Sequence, residues 1–198
     1  MKKKIFSMIV IIVCCVLFTI RYIQVNSSQA YKVKNSYYEQ GDVVEAGKNV
    51  LIDGNMEGYQ IAVVESKVWE WEEYLEFYKI DFEDGKQMHH PERVYDVVVK
   101  VKNNNTTITE DRGIRLMQFY LQKSSFVTSI NQELLFAKNP FLEKATDIAL
   151  KPETEKEIHL PFSLYKENLR KETWNNLEEY PFYFVATLYP EKKSIILE

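Results

Sequence analysis

Past residue 15 the chain has no cysteine; its two thiols, Cys14 and Cys15, are adjacent and sit inside an apolar run. Everything after them is therefore without a disulfide framework, a thiol nucleophile or a cysteine metal site. Glycine and proline are scarce, six of each, whereas aromatics are plentiful (13 Tyr, 11 Phe and 3 Trp). That balance belongs to an ordered, β-rich domain and not to a disordered chain. No acidic residue precedes Tyr31, while Lys2, Lys3, Lys4 and Arg21 do. The remainder carries 21 basic against 29 acidic residues, a net charge of −8. A surface of that sign repels nucleic acid and anionic lipid headgroups, so neither is an expected partner. Also missing are Gly-x-Gly-x-x-Gly, a P-loop, His-Glu-x-x-His and a Gly-x-Ser-x-Gly elbow. Nothing in the motifs supports an enzyme, and no cofactor is expected.

The first 25 residues read as a membrane segment. Met1-Lys2-Lys3-Lys4 is a basic flank, and Ile5 to Ile20 is apolar apart from Ser7 and Thr19. Sixteen residues exceed a usual signal core and fall short of the ~20 that span a bilayer comfortably. Extension to Ile23, with Arg21 snorkelling and Tyr22 at the interface, makes residues 5–23 a signal anchor. The lysines stay in the cytoplasm, which puts the C-terminal domain outside as a single-pass protein of the cell membrane. The alternative is secretion after cleavage near Ala30, because Ser28-Gln29-Ala30 has small residues where a signal peptidase needs them. A polar linker follows at 26–38, then one extracytoplasmic domain at 39–198.

That domain is organised around Arg93 to Lys102. Tyr95, Val97, Val99 and Val101 alternate with Asp96, Val98, Lys100 and Lys102, the period-two pattern of a strand with one buried face. Tyr59 to Ser66 is a second long strand, with Tyr59, Ile61 and Val63 inward. The period then changes: Trp71, Tyr74, Leu75 and Tyr78 fall at i, i+3, i+4 and i+7, which predicts a short amphipathic helix over 70–78. Further strands are expected at 113–122, 125–130, 148–150, 157–162, 182–189 and 194–197, whereas 131–146 has no clear period. The pattern predicts an all-β fold, a two-sheet antiparallel immunoglobulin-like sandwich with one short helix.

Gly58-Tyr59-Gln60-Ile61, Trp71-Glu72-Glu73-Tyr74-Leu75, Val94-Tyr95-Asp96-Val97, Leu160-Pro161-Phe162 and Leu188-Tyr189-Pro190, behind a lysine-led anchor, resemble a family of membrane-anchored surface proteins of Gram-positive bacteria. That family is a domain of unknown function, and the central strand running into Lys102-Asn103 also looks like telokin-like, immunoglobulin-like extracytoplasmic domains. The resemblance implies a sandwich outside the membrane. Its motifs are packing motifs, and it carries over no catalytic or binding residue, because the family has none assigned.

Three clusters have chemistry to offer. Met88-His89-His90-Pro91 supplies imidazoles that, with Glu92 or His159, would suit a transition metal in an envelope hydrolase. Adjacent histidines on a strand point to opposite faces, so a solvated loop is the expected outcome and no metal ligand is assigned. Asp81-Phe82-Glu83-Asp84-Gly85 lacks the alternating oxygens of a calcium loop and reads as an exposed acidic turn. The acidic, aromatic stretch from Trp69 to Tyr78 is the candidate docking surface for another envelope protein or an extracellular ligand. Its candidate residues are Trp69, Trp71, Tyr74 and Tyr78, since rings bury much area at little entropic cost. Seating the helix on the sheet would use the same rings, leaving Trp69 off the stripe. Trp174 shares that ambiguity.

Overall fold

Strand β4 (Arg93–Asn103) holds the centre of a four-stranded sheet in the order β2 (Val44–Asn49), β3 (Gly54–Glu70), β4, β9 (Glu155–Leu164). The computed structural model describes residues 2–27, 33–49, 54–81, 90–107, 112–123, 126–177, 179 and 181–198. The chain divides into two units, Met1–Lys32 and Val33–Glu198. In the first, helix α1 runs from Lys2 to Ser27. Its described side chains, residues 11–25, are all exposed. Among the described residues no helix is long and apolar enough to cross a membrane.

The second unit is a β-sandwich. A five-stranded sheet, β1 (Lys34–Tyr38), β11 (Glu191–Ile196), β10 (Tyr183–Thr187), β6 (Tyr120–Lys123), β7 (Phe126–Ser129), faces the four-stranded one. The alternation on β4 supplies one wall of the common core: Tyr95, Val97, Val99 and Val101 are buried with Tyr59, Ile61 and Val63 of β3, as the period-two pattern predicts. Phe119, Leu121, Phe184 and Ile195 close it from the other sheet, with Tyr95 against Phe182 and Phe119 against Phe184 at centroid separations of 4.9 and 5.2 Å. Rings at such spacings add stabilisation beyond their buried area. Trp174 is buried in this core, with the Arg93 guanidinium 4.8 Å above its ring.

Four expectations need correction. The sandwich is not wholly antiparallel, because β1 pairs with β11 in parallel from Lys34↔Glu191 to Tyr38↔Ile195. The 26–38 stretch is accordingly not all tether: its end is an ordered strand. The single strand expected at 113–122 is broken into β5 (Ile114–Arg115), a 3-10 turn (Leu116–Gln118) and β6. Among its described residues the domain also holds three short helices, α2 (Trp71–Tyr78), α3 (Gln132–Lys138) and α4 (Lys171–Asn175), where one was predicted. Helix α3 escaped a periodicity test because it is two turns long. Its start is set locally by the Asn131 side chain, which accepts from the Leu134 amide at 3.1 Å.

The 131–139 segment closes an exposed sheet edge. Strand β9 is last in its sheet, and its outward backbone groups would otherwise be open to pairing with another chain. The Asn139 amide accepts from His159 N at 3.0 Å and donates to His159 O at 2.8 Å, which imitates a neighbouring strand. Asn131 N donates to Pro161 O at 2.8 Å. Past it, only the Glu155 and Glu157 end stays exposed, and charge guards it.

At one end of the sandwich Asn103, Asn104 and Asn105 knit the β4 terminus to the β2–β3 side. Asn104 N donates to Gly58 O at 2.8 Å, Asn105 Nδ2 donates to Glu57 O at 3.0 Å, and Arg112 donates to Asn105 Oδ1 at 2.8 Å. Gly58 sits at φ 79°, in the left-handed region, and a Cβ there would overlap the Asn105 amide. Gly58→Ala should therefore cost about 1–3 kcal/mol, measured by urea unfolding; an unchanged midpoint would show that Asn105 yields freely.

Candidate functional site

A single bulge decides what faces outward beneath α2. From Tyr59 to Val63 the odd residues of β3 point into the core; the register shift between Val63 and Glu65 inserts Val64 and reverses the parity. Glu65, Lys67 and Trp69 thereby join the outer face, opposite Val98, Asp96 and Val94 of β4. Across β4, these rows continue to His159, Pro161 and Ser163 of β9. The outer face of β4 is also covered, contrary to the expectation of one buried face: Val94, Asp96 and Val98 are all buried.

Helix α2 follows β3 without a loop and lies over this face. Trp71 N donates to Glu92 O at 3.0 Å, and Arg93 Nε pairs with the Glu70 carboxylate at 2.7 Å, which fixes the entry. Lys79 ends the helix in the left-handed conformation (φ 53°, ψ 43°), so that its N–H and that of Ile80 close onto Glu76 O and Leu75 O. Trp71 and Tyr74 are buried against Val94 and Leu134 of α3, with Leu75 and Tyr78 partly buried beside them. The predicted stripe is thus real, but two of its members, Trp71 and Tyr74, seat the helix and present no docking surface.

Trp69 is half-buried, the hub of a ring cluster: Tyr74, Phe77 and Tyr78 lie 6.2, 4.9 and 5.8 Å from its centroid. The Lys67 ammonium stands 3.6 Å over the same indole. Phe77 lies off the helix stripe and is 65% exposed, leaning on Trp69. It was missed in the sequence because the stripe is the usual signal for a helix's packing residues, and Phe77 belongs to neither face by spacing alone.

Beneath the rings is a polar cluster that the sequence did not mark. Asp96, 2% exposed, accepts from or pairs with His159 Nδ1 at 2.8 Å through Oδ2, and Tyr78 OH donates to the same oxygen at 3.4 Å. The Lys138 ammonium of α3 lies 3.4 Å over the Tyr78 ring. Burial lowers the Lys138 pKa, and the nearby Asp96 charge partly offsets it. The Asp96 Oδ1, Tyr74 hydroxyl and Trp69 Nε1 are buried without a hydrogen bond among the described residues. Burial, and then the Asp96 charge, raise the Tyr74 hydroxyl far above its ordinary range. The same causes, with Glu65 and the Asp96 hydrogen bond, push Tyr78 up to about 12.

Tyr78 ionises in the unfolded chain near 10 and in the folded one near 12. A raised folded pKa favours the neutral form, so its contribution is complete below about 10 and is lost as pH climbs from about 10 to about 12. Urea midpoints between pH 9 and 12 should fall with wild type and fall less with Tyr78→Phe; parallel curves would place the loss elsewhere.

His90 is exposed, its ring 5.9 Å from Trp71, while His89 and residues 82–85 lie outside the described residues. His159 pairs with Asp96 and is not joined to His90 by any described contact. No group of three or more His, Cys, Asp or Glu able to hold a metal occurs among the described residues.

Residues 35–193 match the family model Domain of unknown function (DUF5028). The crystal structure of an uncharacterized β-sandwich protein from Clostridium difficile 630 is similar at 8% identity and a TM-score of 0.42, covering 84% of this chain and 97% of that one. That likeness is too distant to carry an argument about this chain. No curated protein matches it.

Proposed function

We propose that this chain, which belongs to the DUF5028 family, is a membrane-tethered interaction domain that docks an envelope protein through the ridge formed by Phe77, Trp69 and Tyr78. The observation that carries it is Phe77, a large ring held in the open by rings behind it. Single exposed apolar side chains are ordinary on a monomer, but Phe77 is held rigid by Trp69 and Tyr78 behind it, the way interfaces present aromatic anchors. Glu72, Glu73 and Glu76 flank it on α2, and Lys67 and Lys138 stand on its other side. This gives a partner a polar rim of both signs around an apolar centre. Asp96 and His159 position Tyr78 within the ridge. The role is binding, not catalysis.

Anchoring rests on the sequence of residues 5–23: an apolar stretch behind three lysines, continuous with a 26-residue helix. Gram-positive origin, an immunoglobulin-like topology and an extracytoplasmic position belong to the same proposal. Tethering would hold the domain near membrane partners and raise their effective concentration. Carbonate extraction of cell membranes, with protease added to intact protoplasts, tests it. The chain should stay in the membrane pellet and lose its domain to external protease; a carbonate-soluble or protected chain would refute the anchor.

A further inference from the structure

Three rings form the α2 ridge, and two of them already carry a cation of this chain. The Lys67 ammonium lies 3.6 Å over Trp69 and the Lys138 ammonium 3.4 Å over Tyr78. Phe77, the most open of the three, has no cation over it among the described residues. Its ring leans on Trp69 at 4.9 Å and meets Tyr78 at 90°, which leaves its outward side to solvent. The face of an aromatic ring attracts cations, and the neighbouring rings use that attraction within the chain.

The open charges around Phe77 are mostly of one sign. Glu73 lies one turn before it on the same flank of α2. Glu72, Glu76 and Asp81 add three more carboxylates on the helix and just past its end, against the single ammonium of Lys79. No hydrogen bond or ion pair among the described residues engages any of these five side chains. The remaining charges nearby have opposite charges beside them or are engaged. Lys67 shares the outer face of β3 with Glu65, Lys138 stands near Asp96, Glu70 pairs with Arg93, and Glu133 on α3 is engaged as well. An acidic partner would be repelled by this excess and by the domain's net charge of −8, and so would a second copy of the chain. A small cation needs a concave site, whereas a ridge seats in a socket on another protein.

We infer that the partner docked at this ridge presents a basic segment, with an arginine stacked on the open face of Phe77 and its guanidinium directed to Glu73. Arginine suits both halves of the site, because its planar head stacks on a ring and forks onto a carboxylate. The inference rests on the docking reading of the ridge and gives it a partner chemistry.

Two octapeptides test it, read by fluorescence anisotropy against the full chain in a non-ionic detergent. One alternates leucine with arginine; the other alternates leucine with citrulline, which keeps the planar shape and lacks the charge. The arginine peptide should bind at least tenfold more tightly. Glu73→Gln and Phe77→Leu, both at exposed positions and expected to leave the melting temperature unchanged, should each weaken it about fivefold. Glu155→Gln combined with Glu157→Gln, exposed carboxylates on β9, should leave it unchanged. Failure of the arginine peptide to bind overturns the inference, as does equal binding of the two peptides. Binding that survives Glu73→Gln and Phe77→Leu, or that falls as far with the β9 pair, overturns it too. Any of these results leaves the docking itself standing, which falls only if position 77 yields no protein adduct in cells.

Discussion

Tyr74→Ala should lower the stability of the domain by about 3 kcal/mol or more, as large-to-small changes at filled aromatic sites do. At this size that is a fall of about 6–12 °C in melting temperature. Tyr74 is fully buried between β4 and α3, packed on Trp71, Val94 and Leu134, and its ring meets Trp69 and Tyr78. Removing it leaves a void under α2 that Leu75 and Leu134 cannot fill without moving the helix. Tyr74→Phe separates the ring from its hydroxyl. That hydroxyl is buried with no hydrogen bond among the described residues and sits in the field of the Asp96 carboxylate. Deleting an unsatisfied polar group removes a penalty and not a bond. The phenylalanine variant should therefore match or exceed wild type by thermal unfolding. A loss with Tyr74→Phe comparable to that with alanine would mean that the hydroxyl is bonded and the polar cluster is arranged differently.

The second large effect comes from the imidazole on β9. His159→Leu strands the Asp96 carboxylate: Oδ1 already has no hydrogen bond among the described residues, and Oδ2 would retain only the 3.4 Å contact from Tyr78. Removing one member of a buried pair commonly costs 3–5 kcal/mol, and exposure of part of this ring reduces the expectation to about 2 kcal/mol. Asp96→Val combined with His159→Leu should recover most of it, because the outer face beside Val94 and Val98 is already apolar. The cycle of two single variants and the double variant isolates the coupling. If the double variant is no more stable than His159→Leu, the carboxylate is not what the single change stranded.

These two residues also mark where the sequence was legible and where it was not. Tyr95, Val97, Val99 and Val101 declared the inner face of β4 through period two alone, since β-branched side chains on one face of a strand have few other uses. The outer face was read as solvated because Asp96 sits in it. What meets Asp96 is Tyr78 of α2 and His159 of β9; α3 beside them is seven residues long and gives no periodicity to detect, the Asn131 cap being its one local sign. The β3 bulge has no sequence marker either, yet it turns Trp69 from the core side to the α2 side. Trp71 and Tyr74 were correctly placed on the helix and wrongly offered to a partner, because the same spacing serves packing and docking alike. Phe77 emerges only once the strand beneath it is known. Strand β1 was hidden by its polar sequence, Lys-Asn-Ser-Tyr-Tyr, and by pairing with the far end of the chain.

Site-specific photo-cross-linking in intact cells tests the docking proposal most directly. A benzophenone side chain replaces Phe77 in one strain and Tyr120, on the opposite sheet, in another. The expected result is one discrete protein adduct from position 77, absent from position 120 and lost when Trp69→Ala is added to a chain that still folds. Equal adducts from both positions, or none from position 77 in a properly exported chain, would contradict the α2 ridge as the site of docking.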